Sequence, residues 1–193
     1  MILGLDVSST TTAYTILDKD GNLIETKEIK LAKFKGMFSK AQFVENILAE
    51  LKLRFEITEI FIEAALISFT KGFSSLKTIA ILHRFNAVVG WMCYKIFGVI
   101  PEYLNVLSAR RIAGVVYDKT DTSKLKTKKA VLKQVLALDS TFPVVYNKLG
   151  NIAITVYDRA DSYIVAYAGL KGAIADKQQE ECDDKQQEIG DSE

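Results

Sequence analysis

The chain is poor in the residues that ligate zinc or close disulfides. It has two cysteines, Cys93 and Cys182, and a single histidine, His83. Cys93 falls in an apolar stretch and Cys182 in a polar one, so no bridge between them is expected. No paired-cysteine spacing offers a zinc cage, and this usage suits a reducing, cytoplasmic setting. His83 reads as a packed or surface histidine. No apolar run reaches the ~18 residues of a membrane span; the nearest candidate, 88–100, is broken by Lys95. No basic region precedes an apolar stretch at the N-terminus, so no signal peptide is expected. Internal repeats and a dividing linker are missing as well. Against these absences stand 193 residues of which 49% are hydrophobic, enough for one well-cored globular domain.

The formal net charge of +1 conceals an asymmetry. Residues 173–193 hold eight acids and two bases, and residues 1–172 hold 23 bases and 16 acids. The expected division is a folded domain over 1–172 and an acidic, disordered tail over 173–193. A basic body with an acidic end fits a nucleic-acid binder with a self-screening tail. It equally fits an ordinary domain with a solubilising tail.

Hydropathy patterning orders the elements. Residues 2–8 read as a central strand, 11–17 as its antiparallel neighbour, and 22–31 as an edge strand after the Asp18-Lys19-Asp20-Gly21 turn. A helix is expected over 40–55 with Ser39 as its cap, then a strand over 59–63. A long helix over 74–97 carries apolar residues on nearly every side, which predicts burial in a core or an oligomer interface. A fifth strand is expected over 99–107, a short helix capped by Ser108, a helix over 127–138, an irregular 142–154 and a final helix over 157–170. This order implies an α/β fold: a five-stranded mixed sheet, an antiparallel meander followed by parallel strands, flanked by helices.

Four acids stand out against this frame. Asp6 lies inside the first apolar run and Glu63 ends the run Ile60-Phe61-Ile62-Glu63. Asp158 and Asp161, at i and i+3, share one side of the last helix. A buried acid is costly unless something pairs with it. Two Mg²⁺ ions, typically ~3.5–4 Å apart, would pair with four of them and drive phosphodiester hydrolysis. A solvated helix N-terminus accounts for Asp158 alone, and it does not account for Asp6.

The run Ile2-Leu3-Gly4-Leu5-Asp6-Val7-Ser8-Ser9-Thr10 resembles the opening strand of RuvC-like Holliday junction resolvases of the ribonuclease H-like superfamily. Phe61-Ile62-Glu63 is similar to the family's fourth-strand glutamate, and Tyr157-Asp158-Arg159-Ala160-Asp161-Ser162 to its C-terminal helix. The resemblance, which extends to viral and phage members as well as bacterial ones, covers roughly residues 1–171. It implies a cytoplasmic homodimer that binds a four-way DNA junction and cuts two opposing strands with Mg²⁺ or Mn²⁺, two ions per active site. Asp6, Glu63, Asp158 and Asp161 are then the metal ligands. The family's loop after the glutamate inserts an aromatic into the junction; here Leu66 holds the near position, and Phe69 and Phe73 are the available aromatics. Residues 139–155 exceed the family's usual connection and have no assigned role.

DNA contacts fall to bases elsewhere. Lys119, Lys124, Lys126, Lys128, Lys129 and Lys133 form the densest basic run, with Lys126, Lys129 and Lys133 on one helix face. Lys71, Lys77, Arg110 and Arg111 are further candidates, and a solvated helix face is the plain alternative. Trp91 reads as a core or dimer contact. The competing functions are a ribonuclease H-like enzyme acting on flaps, forks or RNA–DNA hybrids, an inactive nucleic-acid-binding module, and an actin-like phosphotransferase. The last is opposed by Ser8 where a phosphate-approaching glycine is needed.

Overall fold

The computed structural model describes residues 1–65, 76–118, 120–123 and 125–190, with backbone alone from 175 onward. Its sheet is built from β1 (Ile2–Asp6), β2 (Thr11–Leu17), β3 (Leu23–Lys30), β4 (Glu59–Glu63) and β5 (Glu102–Leu104). The spatial order is β3-β2-β1-β4-β5. The first three strands form the expected meander, closed at Asp18–Gly21 by Gly21 at φ 93° and by Asp18 Oδ1, which accepts from the Asp20 and Asn22 amides. β4 lies parallel to β1, and β5 parallel to β4. The crossovers are α1 (Met37–Arg54) and α2 (Leu76–Phe97); α3 (Val106–Ile112), α4 (Lys126–Leu138) and α5 (Ile154–Gly190) follow.

Strand alternation sorts the sheet into two faces. Leu3, Leu5, Ile60 and Ile62 enter one core with Val44, Leu48 and Leu51 of α1 and Phe85 and Val89 of α2. Ile2 and Phe61 enter the other with Val131 and Val135 of α4 and Ile164 and Val165 of α5. The helices therefore sit on both faces of a mixed sheet, with α5 across its centre.

Local chemistry moves several boundaries. Helix α1 starts at Met37, after Gly36 at φ 79°, without a side-chain cap; Ser39 lies inside it. β5 is only three residues long because Asn105 ends it. The Asn105 Oδ1 accepts from the Leu107 and Ser108 amides at 2.9 and 3.2 Å, so Asn105, and not Ser108, caps α3. Helix α5 begins three residues before the predicted start and continues as helical backbone to Gly190. Its distal composition of Ala, Lys, Gln and Glu has high helix propensity. The unassigned 139–155 segment belongs to the second core. Phe142 is buried edge-on to Tyr163, and Arg159 donates to the Pro143 carbonyl at 3.0 Å with its guanidinium over the Phe142 ring.

Among the described residues, no helix is long and apolar enough to cross a membrane. The Cys93 thiol is free and buried, and burial pushes its pKa up to about 12.

Candidate active site

Side-chain parity and two glycines bring the acids together. On β1, Gly4 and Asp6 face the same side, as do Phe61 and Glu63 on β4. That side carries α5. A Cβ built on Gly4 would lie 2.5 Å from the Ser162 carbonyl oxygen and 2.6 Å from the Ala166 Cβ. A Cβ on Gly169 would meet the Phe61 ring at 2.2 Å. The helix backbone is thus pressed onto the sheet where β1 has no side chain. Two residues further along β1, Asp6 faces the first turns of the same helix.

Parallel pairing does the rest. The register Leu5↔Ile62 makes Asp6 and Glu63 the next residues on adjacent strand ends. Ligands gather at such carboxyl ends of parallel strands. A buried hydroxyl cluster fixes the helix in rotation: Ser162 Oγ contacts Thr15 Oγ1 at 2.8 Å, and Thr15 Oγ1 contacts Thr26 Oγ1 at 2.9 Å. Ser162 directly follows Asp161.

The electrostatics are those of crowded carboxylates. Burial, followed by the fields of Glu63, Asp161 and Asp158, holds Asp6 well above the usual carboxylate range. Glu63 is raised to about 7 by burial and by Asp161, against the opposing pull of Arg110 and Lys128. Burial also raises Asp161 despite Arg110. The two cations come from helices outside the acid set. Arg110 Nη2 of α3 donates to Asp161 Oδ1 at 3.0 Å, and Lys128 Nζ of α4 donates to Asp158 Oδ1 at 2.7 Å. Burial works against the charge of each, and the neighbouring acids outweigh it, so both pKa values are raised.

The donor set fits a divalent cation of the Mg²⁺ class: it is all-oxygen, anionic and half-compensated, four carboxylates against two cations. Among the described residues, no three acidic, histidine or cysteine side chains are drawn into a ligand shell. Asp158 and Asp161 are instead turned to Lys128 and Arg110.

Of the other sequence-derived candidates, Lys126, Lys129 and Lys133 share one face of α4 as expected, beside the segment 116–121. Lys129 Nζ is tied there to Asp121 at 3.3 Å. Lys128 and Arg110, expected on DNA, meet the acids. Lys77 and Arg111 are exposed. Lys119, Lys124 and the loop with Leu66, Phe69, Lys71 and Phe73 lie outside the described residues. Trp91 is 58% exposed with Lys95 over its ring, so it is not a core residue.

One stability consequence follows. An acid whose pKa is higher folded than unfolded contributes stability that is complete below its unfolded value, ~4. That contribution is lost as pH rises through the folded value, about 7 for Glu63, because the unfolded chain ionises first. Without divalent metal, the melting temperature should therefore fall between pH 4 and pH 7. Asp6→Asn should flatten that fall and melt higher at pH 7.5 by roughly 2–4 °C if ~1 kcal/mol of repulsion is relieved. Scanning calorimetry in EDTA checks both; an unchanged pH profile would contradict the acid cluster.

No family model and no curated protein matches the chain. Solved structures do. Thermus thermophilus RuvC in complex with a Holliday junction substrate aligns with a TM-score of 0.62 at 9% identity, over 90% of this chain and 94% of that one. T. thermophilus RuvC aligns with 0.60 at 10%, over 90% and 96%. The yeast mitochondrial Holliday junction resolvase Ydc2 aligns with 0.50 at 16%, over 88% and 77%. The chain therefore shares its fold, a ribonuclease H-like five-stranded mixed sheet flanked by helices, with these structures.

Proposed function

We propose that this protein is a metal-dependent endonuclease that cuts four-way or other branched DNA. The observation that carries the reading is the convergence of Asp6, Glu63, Asp158 and Asp161 at the ends of β1 and β4 under α5. A stable fold has no use for four crowded carboxylates, which destabilise it at neutral pH. A site that takes up cations does. The fold match adds weight, since one aligned structure is a RuvC bound to a Holliday junction substrate.

Asp6, Glu63, Asp158 and Asp161 would hold two Mg²⁺ or Mn²⁺ ions, which when bound supply water activation and charge for the leaving oxygen. Burial and Asp161 raise Glu63 to about 7, so protons and an incoming cation compete for its carboxylate near neutral pH. Arg110 and Lys128 hold Asp161 and Asp158 in place meanwhile. The metal-free carboxylates repel a phosphate backbone, so affinity must come from cations elsewhere.

The face of Lys126, Lys129 and Lys133 is such a surface, and it lies on the helix that also carries Lys128 to the acids. Because phosphate contacts release counterions, log affinity falls with log salt by ~0.9 per contact on duplex DNA. Replacing the three lysines by Ala should weaken junction binding and flatten that slope by up to ~3 units in a salt titration. An unchanged slope would return this face to solvent.

Cutting two opposed strands requires two sites at a fixed separation, for which a homodimer is the simplest arrangement. On helix α2, Trp91 and Tyr94 are exposed and Ile81 is partly exposed, whereas Phe85 is fully buried in the first core. Ile81→Glu should therefore yield folded monomers and Phe85→Glu misfolded protein. Light scattering distinguishes these, and a wild-type monomer both alone and on a junction would overturn paired cutting.

A further inference from the structure

We propose that Tyr117 forms a nucleobase-stacking site beside the acid cluster, a proposal that rests on the nuclease reading and adds where a base is held. Tyr117 stands between α3, whose end is turned by Gly114 at φ 76°, and α4. It belongs to neither hydrophobic core and is 44% exposed. It lines two hollows. One, about 340 Å³, is shared with Leu107, Arg110 and Lys126; Arg110 ends on Asp161, so this hollow adjoins the acids. The other, about 480 Å³, is shared with Lys126, Lys129 and Lys133. Tyr117 is thus common to a hollow that holds Arg110 and one that holds the lysine row, and Lys126 lines both.

An unpaired strand requires this combination. Cations take the phosphates, and an exposed ring takes a splayed base, whatever its identity, because every base has a π-face. The acids nearby are engaged locally. Asp118 Oδ1 accepts from the Thr120 amide and hydroxyl, and Asp121 accepts from the Ser123 amide and from Lys129. Bases at a branch point are the ones free to leave their stack at low cost.

The test uses a synthetic four-way junction carrying 2-aminopurine, in turn, at each of the positions flanking the crossover, bound in EDTA so that no strand is cut. A matched single strand and a duplex serve as controls. Wild type and Tyr117→Phe should quench 2-aminopurine at one or more flanking positions. Tyr117→Ala should lose the quench and bind roughly 5- to 100-fold more weakly, with the salt slope unchanged because no ionic contact is removed. Equal melting temperatures for the three proteins exclude a folding defect. Junction binding with the same quench and affinity in Tyr117→Ala would overturn this site alone. Failure of wild type to bind any of the three DNAs would overturn it together with the nuclease reading.

Discussion

Asp6→Asn is expected to abolish strand cutting, by 10³-fold or so, while junction affinity stays the same or rises. The magnitude follows from where the residue sits. Asp6 feels the fields of Glu63, Asp158 and Asp161 at once, so its replacement removes one carboxylate from the centre of the proposed cation site. A single preorganised electrostatic group in a water-poor site is typically worth ~10²–10³ in rate, and groups acting as a unit fail together. Affinity should not fall, because the amide takes one negative charge out of the path of a phosphate backbone. The isosteric change also leaves the β1 contact with α5 intact, so the loss cannot be assigned to unfolding. Single-turnover cleavage of a labelled junction in Mg²⁺, beside a binding isotherm in EDTA, measures both halves. Full cutting by Asp6→Asn would remove it from the site.

Gly4→Ala should be severe although it adds one methyl group. The new Cβ would lie 2.5 Å from the Ser162 carbonyl oxygen and 2.6 Å from the Ala166 amide nitrogen. Both are backbone atoms of a helix that cannot turn aside. Relief requires α5 to lift from the sheet, which opens the contact of Ile164 and Val165 with the second core and moves Asp158 and Asp161 away from Asp6. Overpacking of this kind typically costs ~1–3 kcal/mol, occasionally more, and backbone-on-backbone contact places Gly4→Ala at about 3. For a chain of this length the melting temperature should fall by roughly 6–12 °C. Cutting should fall further than the folded fraction does, since the acids separate even in molecules that remain folded. A variant that melts within a degree of wild type would mean that α5 does not sit on β1.

Apolar runs and turn residues made the meander, β4 and the mixed character of the sheet legible. They set Asp6 and Glu63 at strand ends, and the i, i+3 spacing put Asp158 and Asp161 on one helix side. Local competitors were harder to see. Asn105 and Ser108 are both good caps, and only the backbone shows that Asn105 accepts the two free amides, which shortens β5 to three residues. Gly36 starts α1 through its positive φ, a conformation that composition does not announce. The pairing of Arg110 with Asp161 and of Lys128 with Asp158 spans 51 and 30 residues. Nothing in spacing links them, and in sequence both bases read as ordinary DNA contacts. Arg159, next to Asp158, meets Phe142 and Pro143, which no local spacing links to it. A buried arginine demands a partner, but its neighbours Asp158 and Ala160 do not mark Arg159 as buried.

The central claim is that four carboxylates and a divalent cation cut branched DNA. The most direct measurement is one gel: purified protein incubated with a labelled four-way junction, the matched linear duplex and an RNA–DNA hybrid, each with and without Mg²⁺. The account predicts cuts in two opposed strands of the junction, dependent on Mg²⁺, with duplex and hybrid left intact. An intact junction in Mg²⁺, or a hybrid cut as readily as the junction, would contradict it.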